Sequence, residues 1–371
     1  MKLYEYLAKD VLRQSGIPVA PGEVADTPSQ ARAVAERIGE AAVKAQVLVG
    51  GRGKAGGIRF GRTPEEVEAA AKAILGMDLK GYKVERVYVE GKLEVERELY
   101  VSVSTDRAAK KPLIMASAKG GVEIEDVADA DIVRRHVDIT VGAYPYVGRE
   151  IAAAMGLAGK TAGQFADIVA RLYDIYRRYD AELVEINPLV VRPDQTIVAA
   201  DARLNIDEAA EYRHPDLPRV EEGTALERRV REIGLAYVEL DGDIAIMANG
   251  AGMAMATLDA IQYYGGRPAN FLDAGGGASV EPTAQALEVL VSMHPKAIFI
   301  NIFGGITRCD DVARALLQVR ATRGIPVPTV VRLAGTNEEA GVAMLREAGI
   351  DAYRDMGPAA EKAVAVAGGR A

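Results

Sequence analysis

Beyond residue 240, apolar runs rich in Ile, Val and Phe alternate with amphipathic stretches at near-regular spacing. The pattern predicts strands over 243–248, 269–273, 296–303 and 328–333. Each is followed by a helix, over 252–264, 282–293, 310–323 and 338–348. This alternation makes a doubly wound parallel α/β sheet. The loops NGAG from Asn249, DAGGG from Asp273, FGGIT from Phe303 and LAGTN from Leu333 all carry glycine and share one edge. Open α/β sheets take their ligands at that edge.

The first half is less regular. A helix over 3–15 closes at Gly16, and a second over 29–38 opens at Ser29 as N-cap. Strands are predicted over 42–49, from Ile58, and over 84–90, 98–104 and 113–117. Residues 149–179 read as helical, and 183–191 with 196–201 as a hairpin. A polar stretch at 212–231, containing HPDLP, reads as a linker into a short helix. It divides the chain into domains at 1–225 and 226–371.

Composition narrows the function. A chain of 371 residues carries two or three domains. Its 38 glycines are clustered rather than periodic, which marks tight turns and not a collagen-like repeat. One cysteine and three histidines exclude a disulfide framework and a Cys/His zinc cluster. A net charge of −8 argues against nucleic acid as a partner. No signal peptide or membrane-length apolar run is visible, so a cytoplasmic protein with no membrane association is expected.

The loop GGRGKAGG, 50–57, holds two cations among five glycines. Converging backbone N–H groups, with Arg52 and Lys54, suit a phosphate chain. The loop is not a P-loop, because Ala55 and a strand follow the lysine. It joins two strands, so it reads as a lid that folds over phosphates, or simply as a mobile surface hairpin. Lys44 and Gln46 precede it on one strand face; a lysine there either snorkels to solvent or contacts a phosphate. In the 182–201 hairpin, a three-residue loop at Pro193-Asp194-Gln195 sets Asn187 opposite Asp201, with Glu185 on the same face. An amide oxygen beside a carboxylate is a hard-oxygen pair suited to Mg²⁺, or simply a polar solvent-facing pair; a one-residue slip would substitute Ala200. Pro188 is expected at a sheet edge. Glu90 and Glu98 flank Gly91-Lys92-Leu93, and Glu90 ends a strand where a carboxylate could bond a ribose, or simply be solvated.

In the second half, GAGMAM from Gly250, with Asp273 ending the next strand, nearly matches a dinucleotide fingerprint, but Met255 stands where a third glycine belongs. Gly275, Gly276 and Gly277 lead into a helix with Ser279 as N-cap, a place for an anion or phosphate. Cys309 reads as incidental. His136, His214 and His294 lie outside the glycine loops and read as structural or surface residues.

Taken together, LYEYLAKD, VKAQVLVGGRGKAGG, KGGVEIE, VEINPLVV, NGAGMAMATLD, PANFLDAGGGA and NIFGGITRCD resemble, in order and over nearly the whole chain, the beta subunits of succinyl-CoA synthetase. The resemblance implies an ATP-grasp domain followed by a flavodoxin-like CoA-ligase domain. It implies the reversible conversion of succinate, CoA and ATP to succinyl-CoA, ADP and phosphate, a step of the tricarboxylic acid cycle, with GTP/GDP as the alternative nucleotide. Carried over, the nucleotide contacts are Lys44, Gly51, Arg52, Gly53, Glu90, Leu93 and Glu98, and the magnesium ligands Asn187 and Asp201. The substrate contacts are Asn249, Gly305, Ile306 and Thr307, where many members have Val in place of Thr307. The phosphate-binding helix starts at Gly275–Gly277. Glu185 matches the glutamate that steadies a phosphohistidine.

That histidine and most CoA contacts belong to an alpha subunit, so a heterodimer or α2β2 heterotetramer is implied, with this chain inactive alone. Mg²⁺ and Lys44 would neutralise phosphates, and the phosphoryl group would pass to the histidine, then to succinate, before CoA displaces it. Three other functions compete: a related acid–CoA ligase such as one for malate, a non-catalytic nucleotide-binding subunit, and a dehydrogenase built on Gly250.

Overall fold

The computed structural model describes residues 1–218, 220, 223–277 and 279–368. It divides into two compact units, Met1–Glu222 and Gly223–Ala371, a few residues before the boundary expected from the linker.

The first unit contains two antiparallel α+β layers. A four-stranded sheet runs in the order Gly22–Ala25, Val87–Gly91, Ala41–Ala45, Ile58–Gly61. Helices Pro28–Ile38 and Pro64–Ile74 bury Val34, Val67, Ala71 and Ile74 against Val43, Val87 and Val89. The first of these helices is capped by Thr27, with a capping box to Gln30 and Pro28 in the first turn, rather than by Ser29. Pro28 favours extended backbone in the residue before it, as an N-cap needs. The expected strand over 42–49 ends at Ala45, where the chain turns into the glycine loop.

The six-stranded sheet is built on Arg97–Asp106 and Ala181–Val191. Helices Pro145–Ala154 and Gly159–Arg178 cover it with Val147, Ile151, Phe165, Val169 and Leu172. The expected continuous helix is therefore two, broken where Gly156 takes φ +71°. Backbone of that kind suits glycine and stops an α-helix. Helix Glu5–Gln14 packs its Val11 and Leu12 into the same core.

The three-residue loop of the hairpin is as read. Arg192 N donates to Thr196 O at 2.9 Å, and Gln195 takes φ +61°. Leu189, Val190 and Val191 face Ala199, Val198 and Ile197. Beyond a short break the register continues unchanged, with Glu185 facing Arg203 and Leu183 facing Asn205. Asn187 and Asp201 fall between these two stretches and are not themselves paired; the common register on either side sets them opposite one another. Pro188 is not at an edge: its strand is paired on both sides, and the ladder toward Arg97–Asp106 shifts between Ile186 and Leu189. That irregularity accommodates a residue without an N–H. The Asn187–Pro188 peptide bond is cis.

The second unit has the doubly wound order. The parallel strands Asn270–Asp273, Ile244–Ala248, Ala297–Gly304, Thr329–Gly335 and Ala352–Tyr353 lie side by side in that sequence, the flavodoxin-like arrangement. Three elements lack a sequence forecast: an antiparallel edge strand Ala236–Glu239, the short strand Ala352–Tyr353 and the closing helix Met356–Ala367. One face is packed by Leu287, Leu290, Leu316 and Leu345, the other by Leu258, Ile261, Ala359 and Ala363.

Candidate functional site

In the first unit the charged residues converge on a buried lattice. On helix Glu5–Gln14, Glu5 and Lys9 stand one turn apart and face inward, with side chains 2% and 0% exposed and 2.8 Å between them. Lys9 also pairs with Glu90 and donates to Ala200 O at 2.7 Å. Lys44 pairs with Glu90, lies 3.0 Å from Glu5, and donates to Ala200 O at 2.5 Å. From the glycine loop, Arg52 reaches Glu5 at 2.8 Å and both carboxylate oxygens of Asp201 at 2.8 and 3.0 Å. The Glu5–Arg52 contact is a close ion pair without hydrogen-bond alignment, leaving Glu5 Oε2 with no aligned donor.

Burial alone would push the Glu5 carboxyl up, but Lys44, Lys9 and Arg52 hold it well below its ordinary value. Burial likewise disfavours the Lys44 ammonium and the Arg52 guanidinium. Glu5, Glu90 and Asp201 around Lys44, and Asp201 and Glu5 around Arg52, override that and raise both. Glu5, Lys44 and Arg52 are therefore each held toward the charged form. Neither Glu5 nor Lys9 was singled out from sequence. An i,i+4 Glu–Lys pair ordinarily lies on a solvated face, and its one signal was its place in the LYEYLAKD motif.

Beside the lattice opens a cavity of about 280 Å³ whose wall includes Gly51, Arg52, Gly53, Glu185, Asn187, Asp201 and Arg203. Asn187 is held from behind: its Oδ1 accepts from Gly121 N, and its Nδ2 donates to Val122 O, both at 2.8 Å. Gly121 sits at φ +72°, beside the Glu98 carboxylate, a backbone conformation in which a side chain would be strained. Glu185 accepts from Tyr100 at 2.9 Å, and the Tyr100 oxygen lies 3.0 Å from the Ser102 hydroxyl, which can donate to it. Burial raises the Glu185 carboxyl above its ordinary value, against that hydrogen bond. Leu93 is half-buried on the turn between Val87–Gly91 and Arg97–Asp106, outside the cavity wall. Lys44, Glu90 and Glu98 likewise lie outside the cavity wall.

Asn187 and Asp201 offer only hard oxygen donors. This pair fits a divalent cation bridging phosphates, although Arg52 now engages both oxygens of Asp201. Among the described residues no cluster of three or more His, Cys, Asp or Glu forms a metal cage of its own.

In the second unit the predicted residues gather at the sheet's ligand edge. Asn249 and Phe303 exchange two hydrogen bonds, Nδ2 to O and N to Oδ1, both at 2.8 Å. Buried Thr307 accepts from Gly277 N at 3.0 Å and lies 3.4 Å from Asn249 Nδ2. Gly305 lies in the same turn, and Ile306 projects with 82% exposure. Asp273 accepts from Gly250 N at 2.6 Å and Gly275 N at 2.7 Å, so its carboxylate ties two loops together, a poor fit to the dinucleotide fingerprint. Ser279 is the N-cap of Val280–Ser292 without a side-chain cap bond, which leaves that helix end its orphan N–H groups. Gly275–Gly277 precede it, and Ala278 lies outside the described residues.

The remaining candidates are structural. His136 bonds Asp106 at 2.7 Å and His214 bonds Asp180 at 2.9 Å. His294 follows a helix end at φ +52°. Cys309 is buried, and burial pushes its thiol up, away from thiolate reactivity. Among the described residues no helix is long and apolar enough to cross a membrane.

Comparison with known proteins agrees with both units. Residues 2–191 match the ATP-grasp domain model, and 247–366 the CoA-ligase model. The succinate–CoA ligase [ADP-forming] subunit beta of Rubrobacter xylanophilus is 51% identical, over 94% of this chain and 93% of the relative. The protein of the same name from Chloroflexus aurantiacus is 49% identical over 100% of both chains. In fold, the chain is similar to an ATP citrate lyase from Methanothrix soehngenii, with TM-score 0.74 and 18% identity, covering 99% of this chain and 98% of that one. With both domain models matched in order and relatives about half identical over nearly the whole chain, the chain belongs to the family of succinate–CoA ligase beta subunits.

Proposed function

We propose that this chain is the nucleotide-handling subunit of an ADP-forming succinate–CoA ligase, joining succinate to CoA at the expense of ATP together with an alpha subunit. The observation that carries this reading is the cavity wall of the first unit. Lys44 and Arg52 stand beside it on a lattice of carboxylates, and Asn187 faces Asp201 across one rung. Cations for a phosphate chain and hard oxygens for a divalent cation meet in one place.

Lys44 and Arg52 take phosphate oxygens, and Gly51 and Gly53 bring backbone close to them. Glu90, Leu93 and Glu98 serve the ribose and base side. Asn187 and Asp201 would hold Mg²⁺, which when bound neutralises phosphate charge. Glu185 orients an imidazole presented by the alpha subunit, the site of the phosphohistidine. In the second unit, Asn249 and Gly305–Thr307 contact substrate, and the helix led by Gly275–Gly277 binds a phosphoryl group. An αβ or α2β2 assembly in the cytoplasm belongs to the same reading.

Co-expression with the alpha partner, followed by a panel of acids and nucleotides, tests it. Succinate with ATP should give the highest turnover. A faster reaction with malate or acetate, or none with any acid, would overturn the assignment.

A further inference from the structure

We propose that Arg203 is the residue of this chain that grips the phosphoryl group in flight, beside Glu185; the inference rests on the function proposed above. Glu185 and Arg203 face each other on paired antiparallel strands, and cross-strand partners of this kind stand about 5 Å apart at Cβ. Asn187 and Asp201 occupy the next same-side rung, about 7 Å along the strands. All four line the one cavity. The rung that fits a metal and the rung that carries Glu185 are thus neighbours, and Arg203 is the cation on the second.

Its lack of ties sets it apart. Lys9, Lys44 and Arg52 are each held by two carboxylates. Arg203 is exposed, and among the described residues its side chain makes no hydrogen bond or close ion pair. Lys54 is also exposed on the cavity wall, but it sits on the glycine loop and not on the sheet beside Glu185.

A guanidinium is suited to the task, because its planar fork matches two phosphoryl oxygens at once. In the transfer, the bond from the γ-phosphorus to the β,γ-bridging oxygen breaks, and its electron pair leaves on ADP. A bond forms from phosphorus to the lone pair of a neutral imidazole nitrogen on the partner. The other ring nitrogen keeps its proton and donates to Glu185. Arg203 donates to the equatorial oxygens, where charge accumulates, and exchanges no proton.

The test is single-turnover transfer of labelled phosphoryl from ATP to the partner's histidine in the intact complex, with nucleotide affinity and melting temperature measured on the same preparations. Arg203→Ala should slow transfer by about 10²–10³-fold while leaving the melting temperature unchanged and ATP affinity within about twofold. Arg203→Lys should recover part of the rate. Near-normal transfer by Arg203→Ala would overturn the proposal, as would a loss matched by an equal loss of ATP affinity. Absence of labelling in the wild-type complex would remove the ligase reading itself, and the role of Arg203 with it.

Discussion

Arg52 donates to both carboxylate oxygens of Asp201, at 2.8 and 3.0 Å, from a loop 149 residues away in sequence. The same carboxylate is one half of the pair that fits Mg²⁺, so the guanidinium and the metal compete for it. Arg52→Ala should therefore raise the affinity of the free subunit for Mg²⁺ alone. It should also weaken ATP binding by about tenfold, or ~1.4 kcal/mol, because a phosphate contact is lost. Titration calorimetry with each ligand separates the effects. Weaker Mg²⁺ binding by the variant would show that Arg52 does not block Asp201.

Lys9 lies at the centre of the lattice and belongs to none of the phosphate contacts. Its removal leaves Glu5 and Glu90 buried with one cation fewer. Uncompensated buried charge costs about 3–5 kcal/mol. Lys9→Ala should lower the urea midpoint of the first unit accordingly, and leave that of the second unit unchanged. A change within 0.5 kcal/mol, the range of ordinary surface substitutions, would mean that Lys44 and Arg52 suffice for both carboxylates.

The two buried glutamates titrate in opposite senses. Glu5 is held below its ordinary value, so the stability it contributes is present above the unfolded value of about 4.3 and is lost as pH falls through the folded one. Glu5→Gln should be most destabilising at neutral pH, and the deficit should shrink in acid. Glu185 is raised, mainly by burial. Its contribution is complete below about 4.3 and is lost as pH rises through the folded value. Glu185→Gln should therefore gain stability over wild type at pH 8, and the gain should vanish toward pH 4. Urea unfolding across that range reads both, and parallel trends would contradict the assignment.

Much of this was legible in the residues because it is local. The loop Pro193-Asp194-Gln195 sets the hairpin register, and the register alone brings Asn187 to Asp201 and Glu185 to Arg203. The strand–helix alternation of the second unit follows from periodicity. What escaped depends on tertiary burial. Glu5 and Lys9 have the spacing of a surface pair, and only the packing of their helix shows that they face inward. The edge strand Ala236–Glu239 and the two-residue strand Ala352–Tyr353 are too short to leave a pattern. The partnership of Thr307 with Gly277 joins loops 30 residues apart, which no local rule connects.

The central claim is that the Asn187–Asp201 rung holds the metal for phosphoryl transfer to the partner. Asp201→Ala, assembled with the alpha subunit and given labelled ATP with Mg²⁺, measures this directly. The account predicts that labelling of the partner's histidine falls by at least about 10²-fold, while the complex still assembles. Near-normal, Mg²⁺-dependent labelling would contradict it.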